Sequence, residues 1–255
     1  MNVDRFKIGF RWRLYISQFP KIYAAWMGLR YPPAFVFGIN QMTELVIEGY
    51  PRSGNTFALY ALLDSQTCPV NVLHHSHNPS RIIEAVKADI PTLVLIRNPI
   101  DSIISFCIFE PKLSIRLALS HWIRFYKAIK PYSGGYLLAT FEEVIEDYGK
   151  VIDKLNDKYT TSFSRFEHTE ENVERIFCII EQKIKKINQR GNFETAVELK
   201  ISVPSEKRAS LKNDLREELI NNQKYKSALL YAQDLYNTMV NTSTIQSKDK
   251  GSFIE

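Results

Sequence analysis

The chain has 255 residues, of which 45% are hydrophobic and 24% are charged, as in globular proteins rather than disordered ones. Ten glycines and eleven prolines in this length exclude collagen-like and low-complexity architectures. The three cysteines, Cys68, Cys107 and Cys178, are widely spaced and form no CxxC pair. We therefore expect neither a disulfide scaffold nor a zinc ribbon, and we expect a reducing compartment.

The net charge of +5 is concentrated in the first forty residues. This segment has six basic residues, one acid and ten aromatic residues. Such an arm could lie on an anionic membrane surface or bind nucleic acid, or it could pack its rings on the domain and leave its charges in water. We expect no nucleic-acid partner, and we keep peripheral membrane contact through residues 1–40 as an open alternative.

No segment has the composition of a membrane span, which needs about 20 mostly apolar residues. The best candidate, residues 22–39, is interrupted by Arg30 and by Pro32-Pro33. A signal peptide is not predicted either, because residues 14–20 contain Gln18 and lack a small-residue cleavage site. These features predict a cytoplasmic protein.

Predicted strands alternate with predicted helices along the chain. Four short apolar runs are typical of strands: residues 43–48, 70–73, 92–96 and 136–140. Helical patterns or helix-start signals follow in five segments: residues 55–64, 79–87, 101–125, 169–190 and 206–240. This alternation predicts parallel strands joined by crossover helices, hence an α/β fold. We expect one domain over residues 43–240, with the basic aromatic arm at 1–42 and a polar tail at 241–255.

The strongest local signal is the segment EGYPRSGNTF at residues 48–57, between a predicted strand and a predicted helix. Gly49 and Gly54 have the spacing of a phosphate-binding P-loop, and Thr56 occupies its terminal Ser/Thr position. Backbone N–H groups of such a loop converge on an anion, and the helix N-terminus adds positive potential. The lysine expected before Thr56 is replaced by Asn55, while Arg52 supplies a cation inside the loop.

A second position is also unsuited to a magnesium triphosphate. The apolar run at residues 92–96 ends in Arg97, where a magnesium-binding acid would normally stand. The two replacements predict a cradle for an anion that carries no metal. A P-loop kinase or NTPase with a degenerate loop is the second hypothesis, and a non-catalytic nucleotide-binding module is the third.

The segment YPRSGNTF resembles the 5′-phosphosulfate loop of the sulfotransferases, which use 3′-phosphoadenosine 5′-phosphosulfate (PAPS) as donor. The second signature of that family is a strand ending in Arg, followed eight residues later by Ser. Arg97 and Ser105 have this spacing. The resemblance implies a three-layer α/β/α fold with a central parallel sheet, similar to P-loop NTPases. It also implies in-line sulfuryl transfer from PAPS to a hydroxyl or amine of a small-molecule or carbohydrate acceptor, without a metal and with PAP as product.

The resemblance implies a role for each matching residue. The amides of residues 53–56 would hold the 5′-phosphate, Arg52 would stabilise charge on the bridging oxygen, and Arg97 with Ser105 would hold the 3′-phosphate. Phe57 would stack on adenine, with a helix-core phenylalanine as the alternative. The donor-binding residues implied in this way are Arg52, Ser53, Gly54, Asn55, Thr56, Phe57, Arg97, Ser105, Lys207 and Arg208. The last two follow Pro204-Ser205 at a predicted helix start, for which a solvated helix start is the alternative.

A histidine cluster lies between the two signatures. His77, in His77-Asn78-Pro79, resembles the general base of the cytosolic enzymes, and His75 stands where that family has a lysine. His75 and Glu48 are the alternative bases. A metal site would need an acidic or cysteine partner close to the histidines in sequence, and we predict none.

Overall fold

The four predicted apolar runs form the strands of one parallel sheet. The structure is a computed structural model and describes residues 12, 15–17, 19–30, 39–190 and 206–251. The strands are β1 (Leu45–Gly49), β2 (Val72–His74), β3 (Thr92–Ile96) and β4 (Leu137–Thr140). Their order in the sheet is β2-β1-β3-β4, and every neighbouring pair is parallel.

The connections between consecutive strands are helical, as parallel pairing requires. The helices of the described residues are α1 (Pro20–Arg30), α2 (Asn55–Ser65), α3 (Pro79–Lys87), α4 (Pro99–Phe109), α5 (Ile115–Ile129), α6 (Phe141–Tyr159), α7 (Glu170–Arg190), α8 (Glu206–Asn221) and α9 (Gln223–Gly251). A short 3-10 helix, Lys130–Gly135, leads into β4.

Both faces of the sheet are covered, which explains the uninterrupted apolar composition of β3. All five of its residues are buried. Val94 and Ile96 pack with α3, α4, α5 and α9 on one face, and Leu93 and Leu95 pack with α2, α6 and α7 on the other. The predicted three-layer α/β/α fold with a central parallel sheet is confirmed.

The chain reverses its path across the sheet at β1. From β1 it passes to the edge strand β2 and then crosses to β3, on the other side of β1. The helices that follow β1 and β3 therefore lie on opposite faces of the sheet. In open parallel sheets, the crevice at the carboxyl ends of two such strands is the usual place for a ligand.

The end of β1 lies unusually close to β3. Gly49 pairs with Leu95, and a Cβ atom at Gly49 would lie 2.4 Å from the Leu95 carbonyl oxygen. The buried Tyr126 hydroxyl donates a hydrogen bond to the same oxygen at 2.8 Å, and the Tyr50 N–H donates to the Tyr126 oxygen at 3.4 Å. Only glycine fits at this position without displacing the strand.

Helix α6 has no counterpart among the predicted elements. It begins with a complete capping box, in which the Thr140 hydroxyl accepts from the Glu143 N–H and the Glu143 carboxylate accepts from the Thr140 N–H. The four-residue signature of this cap is present in the sequence, immediately after the strand run. At the other end of the chain, α9 continues past residue 240 to Gly251, so the predicted polar tail begins as helix.

The described part of the N-terminal arm packs on α3. Ile16 and Tyr23 are buried. The Ser17 carbonyl accepts hydrogen bonds from the Ser80 N–H at 3.1 Å and from the Ser80 hydroxyl at 2.5 Å. Ser80 lies in the first turn of α3, so the arm is attached next to the histidine segment. Among the described residues, no helix combines the length and the apolar character needed to cross a membrane.

Replacement of Gly49 by alanine is expected to destabilise the fold. The new methyl group would overlap the Leu95 carbonyl, and such overpacking costs about 1–3 kcal/mol. Urea unfolding followed by circular dichroism measures this loss. Gly134→Ala is the control, because a Cβ there meets no atom within 4 Å. Equal stability of the two variants would contradict the close approach of β1 to β3.

Candidate active site

The candidate site lies at the carboxyl edge of the sheet, where the segments that follow all four strands meet. Arg97, directly after β3, donates from Nη1 to the Arg52 carbonyl at 3.1 Å. Thr56 Oγ1, at the start of α2, lies 3.0 Å from Nε2 of His75, which follows β2. The predicted loop, histidine segment and Arg97 are thus brought together, and α4 adds Ser105.

The loop after β1 has a backbone suited to binding an anion. Gly54 is the N-cap residue of α2, with φ at 92° and no side chain to cap the helix. A Cβ atom there would be strained by this φ and would lie 3.3 Å from the Phe141 ring. The first N–H groups of α2 therefore receive no side-chain cap from residue 54 and, with the helix dipole, create positive potential.

Asn55 closes the loop rather than extending from it. Its side chain is buried, and Nδ2 donates to the Tyr50 carbonyl at 3.0 Å. Ser53 is also fully buried. These two side chains support the loop from within. Their part in binding an anion would come from their backbone N–H groups.

Arg52 extends to α4. Its Nε donates to the Ser105 hydroxyl at 3.1 Å, and its guanidinium carbon lies 5.2 Å from the centre of the Phe109 ring. A cation at this distance from an aromatic face is attracted to it. Arg52 and Ser105, which the resemblance assigns to different phosphates of the donor, therefore contact each other directly.

Arg97 is held by two neighbours. Besides its hydrogen bond to the Arg52 carbonyl, its guanidinium carbon lies 3.9 Å from the centre of the Phe141 ring. Phe141 is the first residue of α6 and also lies under Gly54. The sequence reasoning missed this residue. The capping-box signature at Thr140 could have found it, because it places a helix start at the same edge of the sheet.

A buried carboxylate joins β1 to the histidine segment. Glu48 is fully buried, and its two oxygens accept the Ser76 N–H at 2.7 Å and the His77 N–H at 2.9 Å. Burial raises the pKa of Glu48 to about 7, while these hydrogen bonds and the charge of Arg81 oppose the rise. Both oxygens are thereby committed to holding residues 76 and 77.

A contact with the Gly49 carbonyl determines the tautomer of His77. Its Nδ1 lies 2.9 Å from the Gly49 carbonyl oxygen, which can only accept a hydrogen bond. The proton of the neutral ring is therefore on Nδ1, and the lone pair is on Nε2. A neutral imidazole in this tautomer has the chemistry of a general base at Nε2.

His75 is held in its neutral form. The side chain remains partly open to solvent, but desolvation by its neighbours, with smaller effects of His77 and His74, lowers the pKa of His75 to about 3. Its Nδ1 lies 2.7 Å from Nδ1 of His74, whose pKa burial also lowers. At neutral pH this pair adds no positive charge to the site. His75 therefore does not replace the charge of the lysine that the family has at this position.

Phe57 lies in the core rather than at the crevice. Its ring is 7% exposed and packs against the rings of Tyr148, Phe166, His168 and Phe177, with centroid distances of 5.7–6.3 Å. A ring that stacks on a base needs an open face. This packing favours the second of the two alternatives, a helix-core phenylalanine, because the α2 position after Thr56 faces α6 and α7.

The remaining predicted residues, Lys207 and Arg208, lie in the first turn of α8, but their side chains fall outside the described part of the structure. Helix α8 is attached to α4 by an ion pair between Arg216 and Asp101, with Nη2 2.6 Å from the carboxylate. Across the described ranges, no three His, Cys, Asp or Glu side chains are grouped in a way that could hold a metal ion.

Backbone strain is concentrated at this edge of the sheet. Five described residues other than glycine have a left-handed φ: Arg52, His75, His77, Asp89 and Thr160. The first three all belong to the candidate site. Such conformations cost about 1–3 kcal/mol each and are found where a functional geometry is maintained by its surroundings.

Comparisons with known proteins found a distant structural similarity. No protein-family model matches the chain, and no curated protein matches its sequence. Among solved structures, one that is similar is the crystal structure of mouse sulfotransferase SULT7A1 complexed with PAP. It is 12% identical, with a TM-score of 0.37, over 77% of this chain and 91% of that chain. A likeness this distant establishes neither a family nor a substrate for this chain.

The Glu48 contacts predict a pH-dependent loosening of the histidine segment. The carboxylate accepts two N–H groups when ionised, whereas protonation places a third hydrogen among them. We therefore expect the exchange protection of the Ser76 and His77 amides, corrected for intrinsic rates, to fall about tenfold as pH decreases through about 7. Hydrogen-exchange NMR measures this change.

The matched variants for this test are Glu48→Gln and Glu44→Gln. The first should lose protection at one of the two amides at every pH, while the second alters an exposed carboxylate at the far end of β1. Global stability should respond in the opposite sense to local protection. The two hydrogen bonds favour the ionised carboxylate, but burial raises its pKa overall, so ionisation opposes folding and the contribution of Glu48 to the free energy of unfolding should decrease as pH rises from 4.5 to about 7. Protection independent of pH in the unmodified protein would contradict this role.

Proposed function

We propose that this chain is a PAPS-dependent sulfotransferase that transfers the sulfuryl group to a hydroxyl or amine of a small-molecule or carbohydrate acceptor. One observation carries the proposal. The loop with an uncapped helix start, the guanidinium groups of Arg52 and Arg97, and the Ser105 hydroxyl surround the same edge of the sheet. This is a donor set for a nucleotide with phosphate groups at two positions.

The residues present fit the donor. The N–H groups of residues 53–56 would hold its 5′-phosphate at the start of α2. Arg97 and Ser105 would hold its 3′-phosphate, with Lys207 and Arg208 proposed as further cations. The Ser105 oxygen accepts from Arg52, which leaves its own hydroxyl hydrogen to be donated to a phosphate.

The same residues fit a magnesium triphosphate poorly. Asn55 occupies the position of the P-loop lysine, and its amide is bonded to the Tyr50 carbonyl. Arg97 occupies the position of the magnesium-binding acid, and its charge would repel the metal. These two replacements favour a donor that binds without magnesium, and they disfavour the degenerate NTPase.

The donor supplies an activated sulfuryl group and a phosphate leaving group. Arg52, on the α4 side of the loop, would stabilise the negative charge that develops on the leaving oxygen. His77 would accept the acceptor's proton at Nε2 while its Nδ1–H remains bonded to the Gly49 carbonyl. Glu48 would orient His77 through its backbone N–H and would not take part in proton transfer, because both of its oxygens are occupied.

Donor binding is expected to depend on Arg97. Arg97→Ala should weaken the affinity for PAP by about 1.5–3 kcal/mol, which is the value of a charge-assisted hydrogen bond. Isothermal titration calorimetry measures the change. Arg97→Lys keeps the charge but loses the planar contact with Phe141. Its affinity for PAP should lie between those of the unmodified protein and Arg97→Ala. Arg124→Ala, an exposed arginine elsewhere on the domain, is the control.

The titrations also separate the hypotheses. Binding of ATP with magnesium in preference to PAP, or robust ATP hydrolysis without transfer from PAPS to any acceptor, would reject the proposal in favour of the NTPase. PAP binding without turnover over a broad acceptor screen would favour the non-catalytic module. Unchanged PAP affinity in Arg97→Ala would show that the 3′-phosphate is held elsewhere.

Proton transfer is expected to depend on His77. His77→Ala should lower turnover about 10²-fold or more, the scale of a lost general base, and leave the affinity for PAP nearly unchanged. Radiolabelled transfer from PAPS measures turnover, and calorimetry measures affinity. His75→Ala is the matched variant, since His75 contacts Thr56 rather than the Gly49 carbonyl. Loss of turnover in His75→Ala with normal turnover in His77→Ala would exchange the two roles.

A further inference from the structure

The N-terminal arm carries exposed apolar side chains that the proposed reaction does not use. Five of them form what we call the apolar stripe: Trp12, Tyr15, Phe19, Ile22 and Leu29. Each is more than 40% exposed, and Leu29 is 90% exposed. Trp12 and Tyr15 are helical, Phe19 directly precedes α1, and Ile22 and Leu29 lie on α1.

The three aromatic members of the stripe contact one another in sequence. The rings of Trp12 and Tyr15 have centroids 6.4 Å apart, and those of Tyr15 and Phe19 are 5.8 Å apart. Ile22 and Leu29 lie two turns apart on α1. Isolated exposed apolar residues are normal, but a contiguous row of large ones indicates a surface that meets a partner.

The other side of the arm is fixed to the domain. Ile16 and Tyr23 are buried, and the Ser17 carbonyl accepts two hydrogen bonds from Ser80. The arm therefore has an inner side that packs on α3 and an outer side that carries the stripe. The stripe remains outward because the inner contacts set the orientation of the arm.

The charge of the arm indicates what the stripe meets. Residues 5–43 contain six basic residues and no acidic residue. Lys21 is exposed beside Ile22 on α1. Large aromatic and aliphatic side chains beside lysine and arginine, without a carboxylate, are the composition of segments that lie in the interface of an anionic bilayer.

We propose that the arm docks this protein on the surface of an anionic lipid bilayer, with the apolar stripe at the boundary between headgroups and acyl chains. Ile22 and Leu29 favour lipid over nucleic acid, because aliphatic side chains gain from acyl chains but neither stack on bases nor bind phosphate. The arm lies on the bilayer rather than crossing it. Helix α1 has eleven residues, about half the number that a span requires.

The experiment is co-sedimentation of the full chain with vesicles of phosphatidylcholine mixed with phosphatidylglycerol, and with vesicles of phosphatidylcholine alone. We expect binding to the mixed vesicles, weaker binding to the neutral ones, and a decrease at high salt. Trp12→Ser combined with Ile22→Ser should weaken binding at least about tenfold, since two large apolar side chains no longer enter the interface. Lys21→Glu should weaken binding to the mixed vesicles about fivefold or more.

Matched controls come from α9. Leu230→Ser combined with Tyr231→Ser removes two similarly exposed apolar side chains, and Lys226→Glu reverses an exposed charge outside the arm. Neither should change vesicle binding. The substituted side chains are exposed, so folding should be kept, and circular dichroism checks this. None of these measurements needs PAP or an acceptor, so failure of the docking proposal is distinct from failure of the proposed function.

Three results would overturn the proposal. The first is the absence of sedimentation with mixed vesicles, or equal sedimentation of the unmodified chain and the stripe variant. The second is tighter binding to an RNA or DNA oligonucleotide than to the mixed vesicles, provided that Lys21→Glu weakens the oligonucleotide binding and the stripe variant leaves it unchanged. The third is dimerisation that the stripe variant abolishes, without vesicle binding, because a second copy of the chain would then cover the stripe.

Discussion

The candidate site depends on the last two residues of β1. Glu48 is the one acidic residue in a fully buried strand, and its carboxylate holds the N–H groups of residues 76 and 77. Gly49 allows the strand to approach the Leu95 carbonyl, and its own carbonyl accepts from His77. The loop and the histidine segment are thus attached to the same two residues. A buried carboxylate is costly unless its oxygens are fully bonded, and this requirement fixes the geometry.

The two arginines show how the protein orders cationic groups before any anion binds. Arg97 is stacked on Phe141 and bonded to the backbone of Arg52, while Arg52 is bonded to Ser105 and lies over Phe109. Long side chains otherwise lose rotamer freedom when they bind a ligand. Fixing them in the folded protein moves that cost from binding to folding, and preorganised charges of this kind are effective in stabilising a transition state.

The elements that the sequence predicts well are those determined by local pattern. Short apolar runs located β1 and β3, and Pro79 located the start of α3, because burial on both faces and the missing proline N–H act within a few residues. Phe57 shows the limit. Its position in the motif suggests a stacking residue, but its rotation into the core depends on α6 and α7, which lie far away in sequence. Likewise, the contact between Arg52 and Ser105 joins residues 53 positions apart, and no spacing rule predicts it.

The histidine segment connects the chemistry of the site to the attachment of the arm. Asn78 caps α3 by accepting the Ser80 N–H, and the same N–H also donates to the Ser17 carbonyl of the arm. Ser80, at which the arm joins the domain, therefore follows the candidate base His77 by three positions. His77 is positioned by two backbone contacts: its N–H is accepted by Glu48, and its Nδ1 lies 2.9 Å from the Gly49 carbonyl oxygen. With Nδ1 directed at a carbonyl oxygen, Nε2 is the ring nitrogen left to accept a proton from an acceptor hydroxyl or amine.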